Sequence, residues 1–148
     1  MVTAVEVLLA RLPREEGDIA YPYNDATGKR VSCRPGGNLT IAEGINLEDG
    51  LDAEERAFLV QHRVNKAHTA LLQYSWYAGI TDPYRQSVPL DIAFNGGVHD
   101  LLGYPHMIAA IAKGDWEEAS RQCTDKDPKL DASRYAPLRQ ILLYGNPT

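Results

Sequence analysis

Val2, Val5, Leu8, Leu9 and Leu12 fall at helical spacing and predict a short amphipathic helix at the start of the chain, which Pro13 should end or kink. The pattern then changes. Residues 17–50 hold six glycines (17, 28, 36, 37, 44, 50), two prolines and short apolar pieces. Asp25-Ala26-Thr27-Gly28 and Pro35-Gly36-Gly37-Asn38 read as turns, and Thr40-Ile41 as a short strand. The expectation is a small irregular β region of two or three strands, too poor in apolar residues to fold alone.

Asp52 with Glu55 forms a capping box behind Leu51, and no glycine or proline interrupts residues 53–77. Phe58, Leu59, Val64, Ala67, Leu71, Leu72 and Trp76 supply an apolar side, so one linking helix is predicted over 52–77, on the order of 37 Å long. Asp82-Pro83 opens another helix, with Val88, Leu90, Ile92, Ala93 and Phe94 making it deeply buried and Asn95-Gly96-Gly97 stopping it. Pro105 opens a helix that ends at Lys113-Gly114. Asp115 and Glu118 pair as caps around Trp116, and Asp131 is expected to start the last helix, through Tyr135, Leu138, Ile141 and Leu142. The chain, 1–148, therefore reads as one α+β domain: a β-rich subregion at 17–50, the linking helix at 52–77 and a helical lobe at 82–145.

Composition narrows the class. With 148 residues, 44% of them apolar and 24% charged, the chain is long enough for one real core. No run approaches 18 apolar residues, and Glu6 interrupts the first apolar stretch, so neither a stable membrane insertion nor a signal peptide is expected. A net charge of −5 with scattered basic residues argues against nucleic acid as a partner. Cys33 and Cys123 lack metal-ligand spacing; a bridge stays open, and two free thiols in a reducing compartment is the simpler reading. No cofactor and no metal are expected.

Carboxylates entering the β region are the first place to look for chemistry, because a polymer would lie in a cleft between two lobes. Glycosidic hydrolysis needs a protonated acid for the leaving oxygen and an ionised carboxylate across from it. With 20 acidic residues in the chain, any one pair picked on physics alone reads first as surface caps and turns.

Taken together, EEGDIAYPYNDATGK and GGNLTIAEGINLEDGL resemble the N-terminal catalytic segment of the phage-type muramidases, the T4 lysozyme-like family of endolysins. The family shows Glu-Gly, a Tyr-containing strand, an Asp before a turn glycine and Thr-Ile-Gly-x-Gly. Here these are Glu16-Gly17, Tyr23, Asp25 with Gly28, and Thr40-Ile41-Ala42-Glu43-Gly44. PLDIAFNGGVHDLLGYPHMIAAIAKGDWEEAS is similar to the family's buried helix ending in Phe-Asn-x-Gly and its following Gly-Asp and Trp-containing helix, placing Phe94-Asn95 with Gly97 and Gly114-Asp115-Trp116. The likeness touches nearly the whole chain.

The resemblance implies a lysozyme-like fold with an interlobe cleft. Glu16 would be the general acid, partly buried so that it holds a proton; Asp25 the opposing carboxylate; and Thr40 the residue that positions water. The substrate would be the β-1,4 bond between N-acetylmuramic acid and N-acetylglucosamine in the peptidoglycan glycan strand. Cleavage would proceed by inversion, which needs the carboxyls about 6.5–9.5 Å apart. It also implies a monomer that gathers in the host bacterial cytoplasm and reaches the wall after holin-type release. Two rivals stand beside it: a lysozyme-fold module that binds glycan or protein without cleaving, and a carbohydrase acting on chitin-like polymers.

The Ala42-Glu43 step and three other features depart from the family pattern. Glycine is usual where Ala42 stands, and the added methyl asks for a negative φ. An aromatic or aliphatic residue is usual where Glu43 stands; Glu43 is either a third cleft carboxylate or, the favoured reading, a solvent-facing turn residue. Pro13 should disturb a helix running into Glu16, with Glu15 as the lesser candidate acid. The loop from Thr27 to Asn38, with Cys33, is extended, and CTDKDPKLDASRY lacks an expected tryptophan. Other single residues take plain readings: His62 and His68 at the surface or edge of the helix, His99 and His106 in a connection, Trp116 in the core, Asn95 satisfying nearby backbone, and Arg134 and Arg139 solvent-facing or ion-paired. Trp76 and the tyrosines are candidates for stacking on sugars.

Overall fold

The structure is a computed structural model that describes residues 1–24 and 26–146. It is mostly helical with one small two-stranded antiparallel sheet, an α+β arrangement. Among the described residues no helix is long and apolar enough to cross a membrane.

Helix α1 (Ala4–Glu15) opens on a capping box in which the Glu6 amide donates to the Thr3 hydroxyl at 3.2 Å and the Thr3 amide donates to the Glu6 carboxylate at 2.8 Å. Its apolar stripe buries Ala4, Val7, Leu8 and Leu12. The expected stop at Pro13 does not occur. The proline lies in the last turn, where a single missing N–H is tolerated, and the Glu16 amide resumes the pattern by donating to the Leu12 carbonyl at 2.8 Å.

Among the described residues the β region has two strands, the lower end of the two or three expected, and Thr40-Ile41 is one of them. β1 (Thr40–Ile41) pairs antiparallel with β2 (Ile45–Asn46), Thr40 opposite Asn46 and Ile41 opposite Ile45, and an isolated bridge joins Tyr23 to Arg30. Too few residues alternate apolar and polar to extend the ladder. Polar ties replace a core. Glu48 is buried, and its carboxylate accepts from the Ser32 hydroxyl and the Cys33 amide, both at 2.6 Å, and from the Leu39 amide at 3.3 Å. Its backbone carbonyl accepts from Arg30, whose guanidinium also lies 3.9 Å from the centre of the Tyr21 ring.

Helix α2 (Ala53–Leu71) starts on the Asp52–Glu55 capping box but ends short of the expected residue 77. The chain turns, and a short α3 (Ser75–Ala78) carries Tyr77 inward. A straight continuation would not seat that ring, which is fully buried with its hydroxyl 2.7 Å from Nδ1 of His68. His68 is thus a half-buried edge residue, and burial pushes its pKa down. α4 (Pro83–Leu102) begins at the Asp82 cap and is broken at Gly97, whose φ of 85° and ψ of 165° leave helical space. α5 (Pro105–Lys113) ends on left-handed Gly114, and α6 (Trp116–Gln122) starts on Asp115, which accepts from the Glu118 amide at 3.0 Å. Trp116 is half-buried under the Arg85 guanidinium.

The last helical run begins before Asp131, not at it. α7 (Pro128–Leu130), a wide π-type turn at Asp131–Tyr135 and α8 (Ala136–Tyr144) follow the Asp127 cap without a gap. Asp131 instead accepts two hydrogen bonds from Arg139 at 2.7 and 3.0 Å, which hold its carboxyl below the usual carboxylate range. The core is drawn from the helices: Leu8, Val64, Leu71, Tyr77, Leu90, Leu101, Met107, Leu138 and Leu142 are all 2% exposed or less. Cys123 belongs to it, its thiol pushed up to about 12 by burial, while Cys33 lies exposed in the β region; both are free.

Candidate active site

The Glu16-Gly17 pair is explained by the end of α1. Glu16 is the capping residue, and Gly17 takes a left-handed φ of 79°, which turns the chain away and leaves the Glu16 side chain at the open end of the helix. Glu16 is not partly buried as expected. Its side chain is 46% exposed, with Arg134 Nη1 at 3.6 Å from Oε1. The negative end of the helix dipole opposes a carboxylate there, and the guanidinium offsets it.

Glu16 stands at the rim of two grooves. One, about 320 Å³, runs between α1, α2 and α4, with Leu9, Leu12, Ala57, Val60 and Phe94 as its apolar wall. Asp18 and Arg56 close its polar end through hydrogen bonds of 2.6 and 3.1 Å. The other, about 370 Å³, lies between α1 and the 130–137 segment, among Arg14, Glu15, Asp91, Ser133 and Arg134. Glu15 shares this second groove; burial raises its carboxyl above the usual range, against the pull of Arg11 Nε at 3.2 Å.

Behind Glu16 lies a cluster that spacing along the chain did not reveal. Asp91 of α4 is 2% exposed and accepts from Arg11, from Arg134 Nη2 at 2.9 Å and from Asn95 Nδ2 at 3.0 Å. Asn95 also donates to the Asp91 carbonyl at 3.1 Å, so its amide does satisfy nearby backbone. Arg134 projects from the wide turn at 131–135. Its participation could not be seen from helical periodicity, which assumes a regular register through that turn.

Thr40 is exposed on β1, its hydroxyl donating to the Asn38 carbonyl at 3.3 Å. Asp25, the expected opposing carboxylate, lies outside the described residues. Glu43 is exposed in the turn between β1 and β2. Ala42 has a φ of 50°, not the negative value its methyl asks for, so the position has the left-handed backbone that favours glycine. The residue missed outright is Glu48. Its signal was faint: an acid followed by a second acid in an exposed-looking LEDG turn, with nothing local to mark it as buried. Among the described residues no group of three or more His, Cys, Asp or Glu side chains could hold a metal ion.

No protein-family model matches the chain, and no curated protein matches it.

Proposed function

We propose that this chain is a phage-type, T4 lysozyme-like muramidase, an endolysin that hydrolyses the β-1,4 bond between N-acetylmuramic acid and N-acetylglucosamine in peptidoglycan. The observation that carries the reading is Glu16. It is a solvent-reachable carboxyl at a helix end, at the rim of two grooves, with a guanidinium at 3.6 Å. Its sequence setting adds the Asp25 turn and the Thr40 strand of the family pattern. In this reading Glu16 protonates the leaving oxygen, Asp25 faces it across an interlobe cleft and Thr40 positions the attacking water, with inversion at the sugar carbon. The protein acts as a monomer on the glycan strand, gathering in the host cytoplasm and reaching the wall after holin-type release.

A second reading has an observation in its favour. The Glu16 carboxyl is 46% exposed and lies against Arg134 rather than enclosed by an apolar wall, which favours a lysozyme-fold module that binds glycan without cutting it. Turbidity of outer-membrane-permeabilised Gram-negative cells separates the two. Wild type should clear the suspension and Glu16→Gln should not, with a rate loss of about 100-fold or more. A well-folded wild type that leaves turbidity unchanged across a broad pH range would refute the muramidase reading. Products from purified muropeptides against chitin oligomers distinguish a chitin-type carbohydrase.

A further inference from the structure

We propose that Asp91 is a positioning residue for Glu16: it takes up the charge of Arg134, so that Arg134 steadies the Glu16 carboxyl without fixing it as an ion pair. The proposal deepens the reading of Glu16 as the general acid and rests on it. An acid beside a free guanidinium would be held as the anion and could not give up a proton. Some group must draw that positive charge away.

The geometry assigns this task to Asp91. Two guanidinium groups, Arg11 and Arg134, meet three carboxylates: Asp91, Glu15 and Glu16. Asp91 receives a hydrogen bond from each arginine and a third from Asn95. Glu16 is left with Nη1 of Arg134 at 3.6 Å, beyond hydrogen-bonding distance. Glu15 is left with Nε of Arg11 at 3.2 Å, and that buried Nε makes no well-formed hydrogen bond. Burial sharpens the division. The Asp91 side chain is 3% exposed against 46% for Glu16, so the pairing with Asp91 is the less screened of the two.

The charged groups around Glu16, among the described residues, are Arg14, Glu15 and Asp18 of its own segment, Arg56 of α2, Asp91 of α4 and Arg134 of the wide turn. Arg56 is committed to Asp18 through two hydrogen bonds and to the Leu51 carbonyl through a third. Arg14 reaches back to the Ala10 carbonyl at 3.5 Å and pairs with neither carboxylate, so Arg134 is the cation whose sharing between Asp91 and Glu16 sets the balance. Neutralising Asp91 leaves Arg134 to Glu16. Removing Arg11 does the reverse, because Asp91 then draws on Arg134 alone. The two changes act with opposite sign, which a general loss of packing does not imitate.

The test is a carbon-detected NMR titration of the Glu16 carboxyl in the wild-type protein, Asp91→Asn and Arg11→Gln, with the pH profile of peptidoglycan clearing measured alongside. Asp91→Asn should lower the Glu16 midpoint and pull the alkaline limb of activity down with it. Arg11→Gln should move both upward. A midpoint that stays put in both variants, or moves the same way in both, overturns the proposal whatever the activity. Should Asp91→Asn not fold, Arg11→Gln decides alone: an upward shift supports the proposal and no shift overturns it. Opposite shifts in a protein that clears no peptidoglycan would uphold the charge sharing and refute the muramidase reading.

Discussion

The helical part and residues 17–50 are held together by different physics. Among the described residues, nothing between Leu12 and Val64 is buried except Glu48, a carboxylate. The helices bury leucines, valines, a methionine and Tyr77 in one cluster. Apolar burial is cumulative and cooperative, so the helical part sets the stability of the molecule. In 17–50 a few polar ties fix a loop that would otherwise wander: Glu48 to Ser32, Cys33 and Leu39, and Asp18 to Arg56. A segment without a core can thus still be placed, provided a buried acceptor satisfies several donors of the loop at once.

This contrast can be broken most forcefully from the helical side. Leu90→Ala should cost about 2–5 kcal/mol and lower the thermal midpoint of the entire protein, because Leu90 is fully buried. Ile41→Ala, at a strand residue 54% exposed, should stay within about 0.5 kcal/mol. Equal losses in the two variants would refute the division.

Next in size is Glu48→Gln. It should strip hydrogen-exchange protection from the Cys33 and Leu39 amides and leave the helices protected. The Ser32 hydroxyl and Cys33 amide bonds hold the Glu48 carboxyl below its ordinary value of 4.5. The stability this group contributes is therefore complete above about pH 4.5 and is lost as pH falls through the lower folded value. Acid should loosen the 30–39 loop before it melts the helices, and uniform exchange across the chain on acidification would count against this.

The smallest expected effect is a gain. Ala42 holds a left-handed φ of 50°. Relief of that strain, less the added chain entropy of glycine, should make Ala42→Gly more stable by about 0.5–1 kcal/mol in chemical denaturation. A destabilised variant would mean that the methyl makes a packing contact outweighing the strain.

Legibility followed the same division. Asp52, Asp82 and Asp115 cap helices through bonds to amides two or three residues away, and such signals are written locally. The expected helix over 52–77 failed at its far end because the stop at Leu71 serves Tyr77, whose burial depends on the rest of the core. Glu16 stood out only through the family resemblance of its Glu-Gly step, and its exposure beside Arg134 had no local sign.

The sequence alone marked the helix starts at Asp52, Asp82 and Asp115 and showed that residues 17–50 could build no apolar core. Each follows from interactions within about one helical turn, or from composition alone. Packing between helices brings Arg11, Asp91 and Arg134 together, at separations of 80 and 43 residues, and tertiary folding makes Glu48 the anchor of a loop 9 to 16 residues before it. Charges at such distances along the chain carry no local signature. They become partners only once packing excludes water from one of them, and burial is a property of the folded whole.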